Sequence, residues 1–409
     1  MTTFSSPIVI AGAGPSGCAL AILLSMRGVD VVVFDDDKRP DLLVGESLVP
    51  AVIPILRKLG VEDRVAAISQ FKPGASFYHT NGEKVTFTFT TVASQLPGYA
   101  YNVPRPQFDE VLRQRAEEMG VRFVKARAQV EAFDGPGGRS LRLKPESLDL
   151  IGLKAESRPF LVDATGRARL FSRTLELQAA RGKRDDVAYF AHFENFQHDD
   201  VAPGQIIISV LRAGWSWRIP LKDRLSVGIV VNKEHAKTLG VTAEERLELA
   251  IREEPLLRDR AADARRVTDV VTYTNYQLLS ERGFGPGWAL VGDAFGFVDP
   301  MLSPGLFMSL QSAMALDKAL EKNNTGGWSR YEEDFRKWHR SWGEVVDYFY
   351  QGNIFQAELG RRELIEDHPV ETSVPRRVER HVSFHLSSML CGGNTPRWYS
   401  RSLIKLLMF

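Results

Sequence analysis

Ile8-Val9-Ile10-Ala11-Gly12-Ala13-Gly14-Pro15-Ser16-Gly17-Cys18-Ala19-Leu20-Ala21-Ile22-Leu23-Leu24 is the stretch that decides the fold. Short apolar residues of strand type lead into a glycine turn, and the run beyond Gly17 is rich in helix formers. Val31-Val32-Val33-Phe34 then reads as a second buried strand with Asp35 at its carboxyl end. The interval from Gly12 to Asp35 is close to the ~20 residues that separate a phosphate turn from the acid that binds a ribose hydroxyl. Gly12 permits the turn, Gly14 lets a pyrophosphate approach the backbone, and Gly17 lets helix and strand pack. The helix N-terminus attracts the anion. Gly12, Ala13, Gly14, Ser16, Gly17 and Asp35 are therefore the expected dinucleotide contacts, and Cys18 reads as a small packing residue.

The same stretch carries no charge from Pro7 to Met26, long enough to be mistaken for a membrane span or signal peptide. Its glycines suit a strand, turn and helix instead, and no transmembrane segment is expected. The whole chain has 409 residues, room for two or three structural units. Lys+Arg 52 against Asp+Glu 51 leaves a net charge of +1, which gives no global reason to expect nucleic acid as a partner. Cys18 and Cys391 are the only cysteines, far apart and without ligand spacing, so neither a disulfide framework nor a metal site is expected. A reducing cytoplasm fits.

Three later motifs narrow the dinucleotide. Leu161-Val162-Asp163-Ala164-Thr165-Gly166-Arg167, Trp288-Ala289-Leu290-Val291-Gly292-Asp293-Ala294, and Asn102-Val103-Pro104-Arg105 with Phe108 and Asp109 occur in an order that resembles the flavin monooxygenase and flavin-dependent halogenase superfamily. The resemblance implies FAD, with Asp293 on its ribityl chain and Arg105 along the cofactor. No second glycine fingerprint follows a strand; Gly135-Pro136-Gly137-Gly138 reads as a turn. Electrons must then come from transiently bound NAD(P)H or from a separate flavin reductase.

Within the superfamily the likeness is to the halogenase-like branch. Gly45-Glu46-Ser47-Leu48-Val49-Pro50, the Trp-x-Trp-x-Ile-Pro run Trp215-Ser216-Trp217-Arg218-Ile219-Pro220, and Phe297-Val298-Asp299-Pro300-Met301-Leu302-Ser303-Pro304-Gly305 carry it. Lys72-Pro73-Gly74-Ala75-Ser76-Phe77 is similar to the segment that bears the halogenases' essential lysine. Glu46, Ser47, Pro300 and Gly305 are implied beside the flavin. Lys72 is implied as the hypohalite-handling residue, against a plainer reading as a solvated lysine at a strand start. Pro304 departs from the halide-binding pattern because proline has no N–H. On that ground the expected activity is hydroxylation of a phenol- or indole-type substrate by O₂ through a flavin C4a-hydroperoxide. The alternative is a flavin-dependent halogenase that uses Lys72.

These motifs imply an α/β fold: a Rossmann-type FAD-binding domain at 1–70, 100–170 and 270–325, interleaved with an antiparallel-sheet substrate domain at 71–99 and 171–269, then a helical C-terminal segment at 326–409. Val85 to Thr90, Gln205 to Val210, Ser216 to Pro220 and Leu225 to Val231 are the expected strands of the substrate sheet. Trp215 and Trp217 share a strand face, as core packing or as a wall between flavin and substrate chamber. His79 and His192 are candidate bases bordering that chamber. Trp328, Tyr331, Phe335, Trp338 and Trp342 recur at helical spacing, as a buried stripe or a substrate lid. The basic tail beyond Pro375, ending in Leu403-Ile404-Lys405-Leu406-Leu407-Met408-Phe409, folds back or docks a carrier or substrate protein.

Overall fold

The computed structural model describes residues 6–38, 40–135, 137–199, 201–274, 277–368, 370 and 373–407, with side chains to 403. Pro136 of the glycine-rich turn and the end of the apolar tail, from the side chain of Ile404 to Phe409, lie outside the described residues.

The apolar run Ile8–Ala11 forms the centre of a six-stranded sheet, flanked in parallel by Leu161–Asp163 on one side and Val31–Phe34 on the other. Arg122–Val124 extends one edge and Trp288–Leu290 the other, both in parallel, with Phe284–Gly285 closing antiparallel. Continuous apolar strands of this kind fit a sheet covered on both faces, and Ile8–Ala11 and Val31–Phe34 are buried throughout. The Pro15–Met26 helix packs on this sheet and on the long Pro304–Lys322 helix.

A second, larger sheet runs Arg265–Arg266, Asp186–Glu194, Leu225–Asn232, Gly214–Pro220, Ile206–Leu211, Gly74–Tyr78, Lys84–Thr88. Val271–Thr274 also pairs with Asp186–Glu194. The expectation of a wholly antiparallel sheet is corrected here, because Ile206–Leu211 runs parallel to Gly74–Tyr78. The strand expected over Val85 to Thr90 ends at Thr88. Phe89 turns into a short 3₁₀ segment, its N–H bonded to the Pro73 carbonyl at 2.9 Å. Strand alternation sorts the sheet between two cores. Val187, Tyr189, Ala191 and Phe193 join Leu247 and Leu257 on one face, while Ala188, Phe190, Trp215 and Trp217 turn to the main core.

Beyond the Pro304–Lys322 helix come Thr325–Tyr350, Asn353–Asp367, Val374–Leu390 and Trp398–Leu407. The aromatic spacing on the first of these is a packing stripe, not a lid. Phe335 stacks on Phe295 at 4.1 Å, Trp338 meets Phe307, and Tyr331 bonds to the Leu290 carbonyl.

Candidate active site

The glycine turn, the end of the Val31–Phe34 strand and the start of the Pro304–Lys322 helix enclose a cavity of about 570 Å³. Gly12, Ala13, Gly14, Ser16, Asp35, Glu46, Ser47, Arg105, Asp293, Pro300 and Gly305 all line it, as do Trp215 and Trp217. Gly17 does not. It supports the turn from beneath, where a Cβ would stand 2.1 Å from the Gly12 carbonyl oxygen. Gly12 has φ +102°, and a Cβ there would meet the Ala164 carbonyl at 2.5 Å. At Gly14 no atom lies within 4 Å of such a Cβ, which leaves the backbone bare toward the cavity. Cys18 donates to the Ala13 carbonyl at 3.2 Å from a buried position.

The charged residues are disposed for a dinucleotide. Asp35, at the strand end, is held by Arg113 at 3.1 Å. Arg105 is anchored to Asp109 at 3.2 Å and to the Val44 carbonyl. Burial pushes Asp293 up to about 6, opposed by the nearby Arg105 and Arg167. A carboxyl held between ionised and neutral states suits hydrogen bonds to hydroxyl groups better than contact with an anion. A bare glycine turn at a helix N-terminus, an acid at the second strand end and a hydroxyl-binding carboxyl opposite fit pyrophosphate, ribose and ribityl groups in turn. Sequence reading missed Arg127, Arg167 and Tyr273 as lining residues; the Arg167 guanidinium lies 3.9 Å from the Tyr273 ring centroid. Arg167 closes the Leu161-to-Arg167 motif, which assigned it no role, and nothing local marks Arg127 or Tyr273.

Trp215 and Trp217 share one face, their rings 5.7 Å apart, and border the flavin cavity. Trp217 Nε1 donates to Ser226 at 3.1 Å and Trp215 Nε1 to Tyr350 at 2.8 Å. Both are also core residues, so packing and wall coincide.

Lys72 is buried, which removes its reading as a solvated lysine. Its Nζ donates to Ser47 Oγ at 2.7 Å and to the Leu48 carbonyl at 2.8 Å, and it lies 5.2 Å from the Phe89 ring. Burial lowers its pKa to about 7, and the neighbouring Cys391 thiol is pushed up to about 12. Lys72 and Cys391 share a cavity of about 30 Å³ lined by Phe77, Phe87, Phe89 and Leu390. That space holds a water molecule or two, not an aromatic ring.

This small cavity is the middle of a series. Ile206, Ile208, Leu302 and Ser303 line both it and the flavin cavity. Phe87, Thr88 and Ser387 line both it and a groove of about 730 Å³ between the Lys84–Thr88 strand and the Asn353–Asp367 and Val374–Leu390 helices. Leu302 and Ser303, on the flavin side, hold φ of +66° and +60°, a strained pair of the kind found beside functional sites.

The structure corrects the assignment of His79 to the chamber. It sits in the turn after Tyr78, its ring against Phe355 at 5.2 Å, and lines neither the flavin cavity nor the Lys72 cavity. Its position in the sequence beside a sheet segment does not tell which end of that segment faces the cofactor. His192 is the histidine that reaches inward, with Nε2 2.7 Å from Glu46.

A cradle for FAD with a buried amine beyond its wall defines a FAD-dependent oxidoreductase. The profile of the tryptophan halogenase family matches residues 7–98 and 90–354, and the chain belongs to that family. A tryptophan 2-halogenase of Chondromyces crocatus is 27% identical over 361 residues, 85% of this chain and 68% of that protein. The flavin-dependent halogenase rdc2 of Metacordyceps chlamydosporia is 30% identical over 362 residues, 82% and 68% of the two chains. The 1H-pyrrole-2-carbonyl-[peptidyl-carrier protein] chlorinase of Pseudomonas fluorescens is 27% identical over 388 residues, 87% and 85%. Among solved structures, the brominase Bmp2 aligns over 98% of both chains with a TM-score of 0.75 at 21% identity, a likeness of fold.

These relatives correct the preference for hydroxylation: a halogenase reading fits better. The inference from Pro304 fails for a structural reason. Pro304 is the first residue of its helix, a position where proline removes a single donor. Gly305 and Leu306 follow, both line the flavin cavity, and both belong to the first turn, whose N–H groups have no partner within the helix. Among the described residues, no helix is long and apolar enough to cross a membrane.

Proposed function

We propose that this chain halogenates an electron-rich aromatic ring, with reduced FAD, O₂ and halide as co-substrates and Lys72 as the residue that handles hypohalous acid. The observation that carries the reading is Lys72, buried in a small cavity that shares one wall with the flavin cavity and another with the C-terminal groove. Bound and reduced, FAD supplies the activated oxygen that oxidises halide to hypohalous acid.

The protein's share is positional. Gly305 and Leu306 N–H groups hold the halide at the helix N-terminus. The apolar wall of Ile206, Ile208 and Leu302 keeps water out of the path. With a pKa near 7, Lys72 is available as a neutral amine. The nitrogen takes the halogen from hypohalous acid and releases water. The ring carbon then takes the halogen, and the ring proton returns to the nitrogen. Ser47 Oγ and the Leu48 carbonyl fix the amine for both steps.

The aromatic substrate lies in the groove and presents its ring at Phe87, Thr88 and Ser387, the wall that the groove shares with the Lys72 cavity. A substrate tethered to a carrier is favoured by the size of the groove, far beyond that of a ring, and by Arg380 on its lining with Arg377 beside it. A separate flavin reductase is the fitting electron source.

The test is a panel of phenols, indoles and pyrroles, free and carrier-bound, incubated with reduced FAD and O₂ with and without chloride or bromide. Product masses carrying halogen are expected. Oxygen insertion indifferent to halide would overturn the reading.

A further inference from the structure

Glu46 and His192 meet from opposite parts of the molecule. Glu46 lines the flavin cavity, and its backbone carbonyl accepts the Val103 N–H at 2.7 Å. His192 stands on the Asp186–Glu194 strand, on the same face as Ala188 and Phe190, which join the core around the cofactor. Its backbone N–H donates to Thr268 Oγ1 at 3.0 Å, and its carbonyl accepts the Val267 N–H at 2.9 Å. Nε2 of the ring lies 2.7 Å from Glu46 Oε1. The Glu46 side chain is 2% exposed and that of His192 8%, so both are buried and the imidazole keeps a small exposed edge.

Beyond that edge lies charge. Asp223 and Arg224, in the turn before the Leu225–Asn232 strand, pair with one another, and the hydrogen bond from Arg224, with a smaller contribution from His192, holds Asp223 below the usual carboxylate range. Arg224 in turn feels Glu46 and Glu194, and Glu194 pairs with Arg265 across the neighbouring strand. Glu46 faces His192 from within; Asp223, Arg224, Glu194 and Arg265 face it from without.

A buried acid and imidazole contribute little to stability that an apolar pair of the same volume would not supply. Their distinctive property is the proton on the line between them. Reduction and oxidation of a flavin exchange protons, yet the described residues that line its cavity include no histidine. Among the described residues, two imidazoles are hydrogen-bonded to residues that line it: His339, which meets Phe297 only at its backbone carbonyl, at 3.1 Å, and His192, which meets the ionisable side chain of Glu46.

We propose that His192 and Glu46 relay protons between solvent and the flavin cavity. A proton enters at Nδ1, the Nε2 proton passes to Glu46 Oε1, and the carboxyl group releases it into the cavity. One proton enters, one leaves, and no electron moves. His192 acts through Glu46 and is a positioning and relay residue.

The inference rests on the FAD site and not on halogenation, so its test omits halide and aromatic substrate. The FAD-loaded chain is reduced, mixed with oxygenated buffer, and followed by flavin absorbance from about pH 6 to 9. His192→Gln can still donate a hydrogen bond to Glu46 but cannot pass a proton. It is expected to slow flavin oxidation at least about tenfold at the alkaline end and to make it depend on buffer concentration. Imidazole should restore His192→Ala, while FAD affinity in both variants stays within about threefold of wild type. In the chain without flavin, the proton shared between His192 Nε2 and Glu46 Oε1 should give a downfield, hydrogen-bonded resonance that Glu46→Ala removes. A His192→Gln variant with the wild-type rate and no buffer dependence would overturn the relay, as would the absence of that resonance from the flavin-free chain. Failure of halogenation alone leaves both readouts intact.

Discussion

The flavin cavity and the Lys72 cavity stand on either side of one wall, and they are built in opposite ways. The first is made by contiguous motifs, a glycine turn and short segments after strands, so that backbone shape does most of the work. The second is made by single side chains from places far apart in the chain: Val49, Lys72, Phe87, Ile208, Leu302 and Cys391. A site of the first kind breaks when its backbone is altered; one of the second kind breaks when one side chain is. On the proposed function a division of labour follows, with cofactor chemistry on one side and halogen transfer on the other.

The largest effect expected on the flavin side comes from Gly12→Val. A side chain there meets the Ala164 carbonyl in a conformation with φ +102°, so FAD affinity should fall about a hundredfold or more by fluorescence titration. Retained affinity would break the comparison, because the turn would then not be shaped by its backbone. Ser387→Trp, placed on the wall between groove and Lys72 cavity, should raise KM for the aromatic substrate about tenfold and leave FAD affinity unchanged. An equal loss of both would erase the boundary between the regions.

A thermodynamic effect sharpens it further. The folded-state pKa of Lys72 lies near 7, below the 10.5 of a free lysine, so between these values the unfolded chain binds the extra proton. Stability should therefore be reduced below about pH 7 and be recovered, by a few kcal/mol at most, as pH rises towards about 10.5. Lys72→Met should lack this rise; denaturant titrations across the range read the difference. Smallest is Trp217→Phe, which removes the bond to Ser226 and should cost about 1 kcal/mol, with Ser226 left unpaired.

The same contrast governs what could be read from the sequence. The strand, turn, helix and Asp35 all lie within one short segment, and local patterns carried them. Trp215 and Trp217 were assigned to one face by their spacing alone. The partners of Lys72 were not legible, since Cys391 and Leu302 reach it only through tertiary packing. His79 and His192 both lie on or beside the larger sheet, and alternation gives no sign of which end of a strand meets the cofactor. Pro304 was read as a lost halide donor because its place in the first turn of a helix, with Gly305 and Leu306 behind it, emerges only in three dimensions. The parallel pairing of Ile206–Leu211 with Gly74–Tyr78 was hidden for a similar reason: an apolar strand does not declare the direction of its neighbour.

The central claim is that hypohalous acid forms on one side of the wall and is used on the other. It is tested most directly with Lys72→Ala, loaded with reduced FAD, O₂ and bromide in the presence of both the aromatic substrate and a small external halogen acceptor. The account predicts that halogenation of the aromatic substrate falls by about a thousandfold or more, while the external acceptor is still halogenated at close to the wild-type rate. Loss of both products, or of neither, would contradict it.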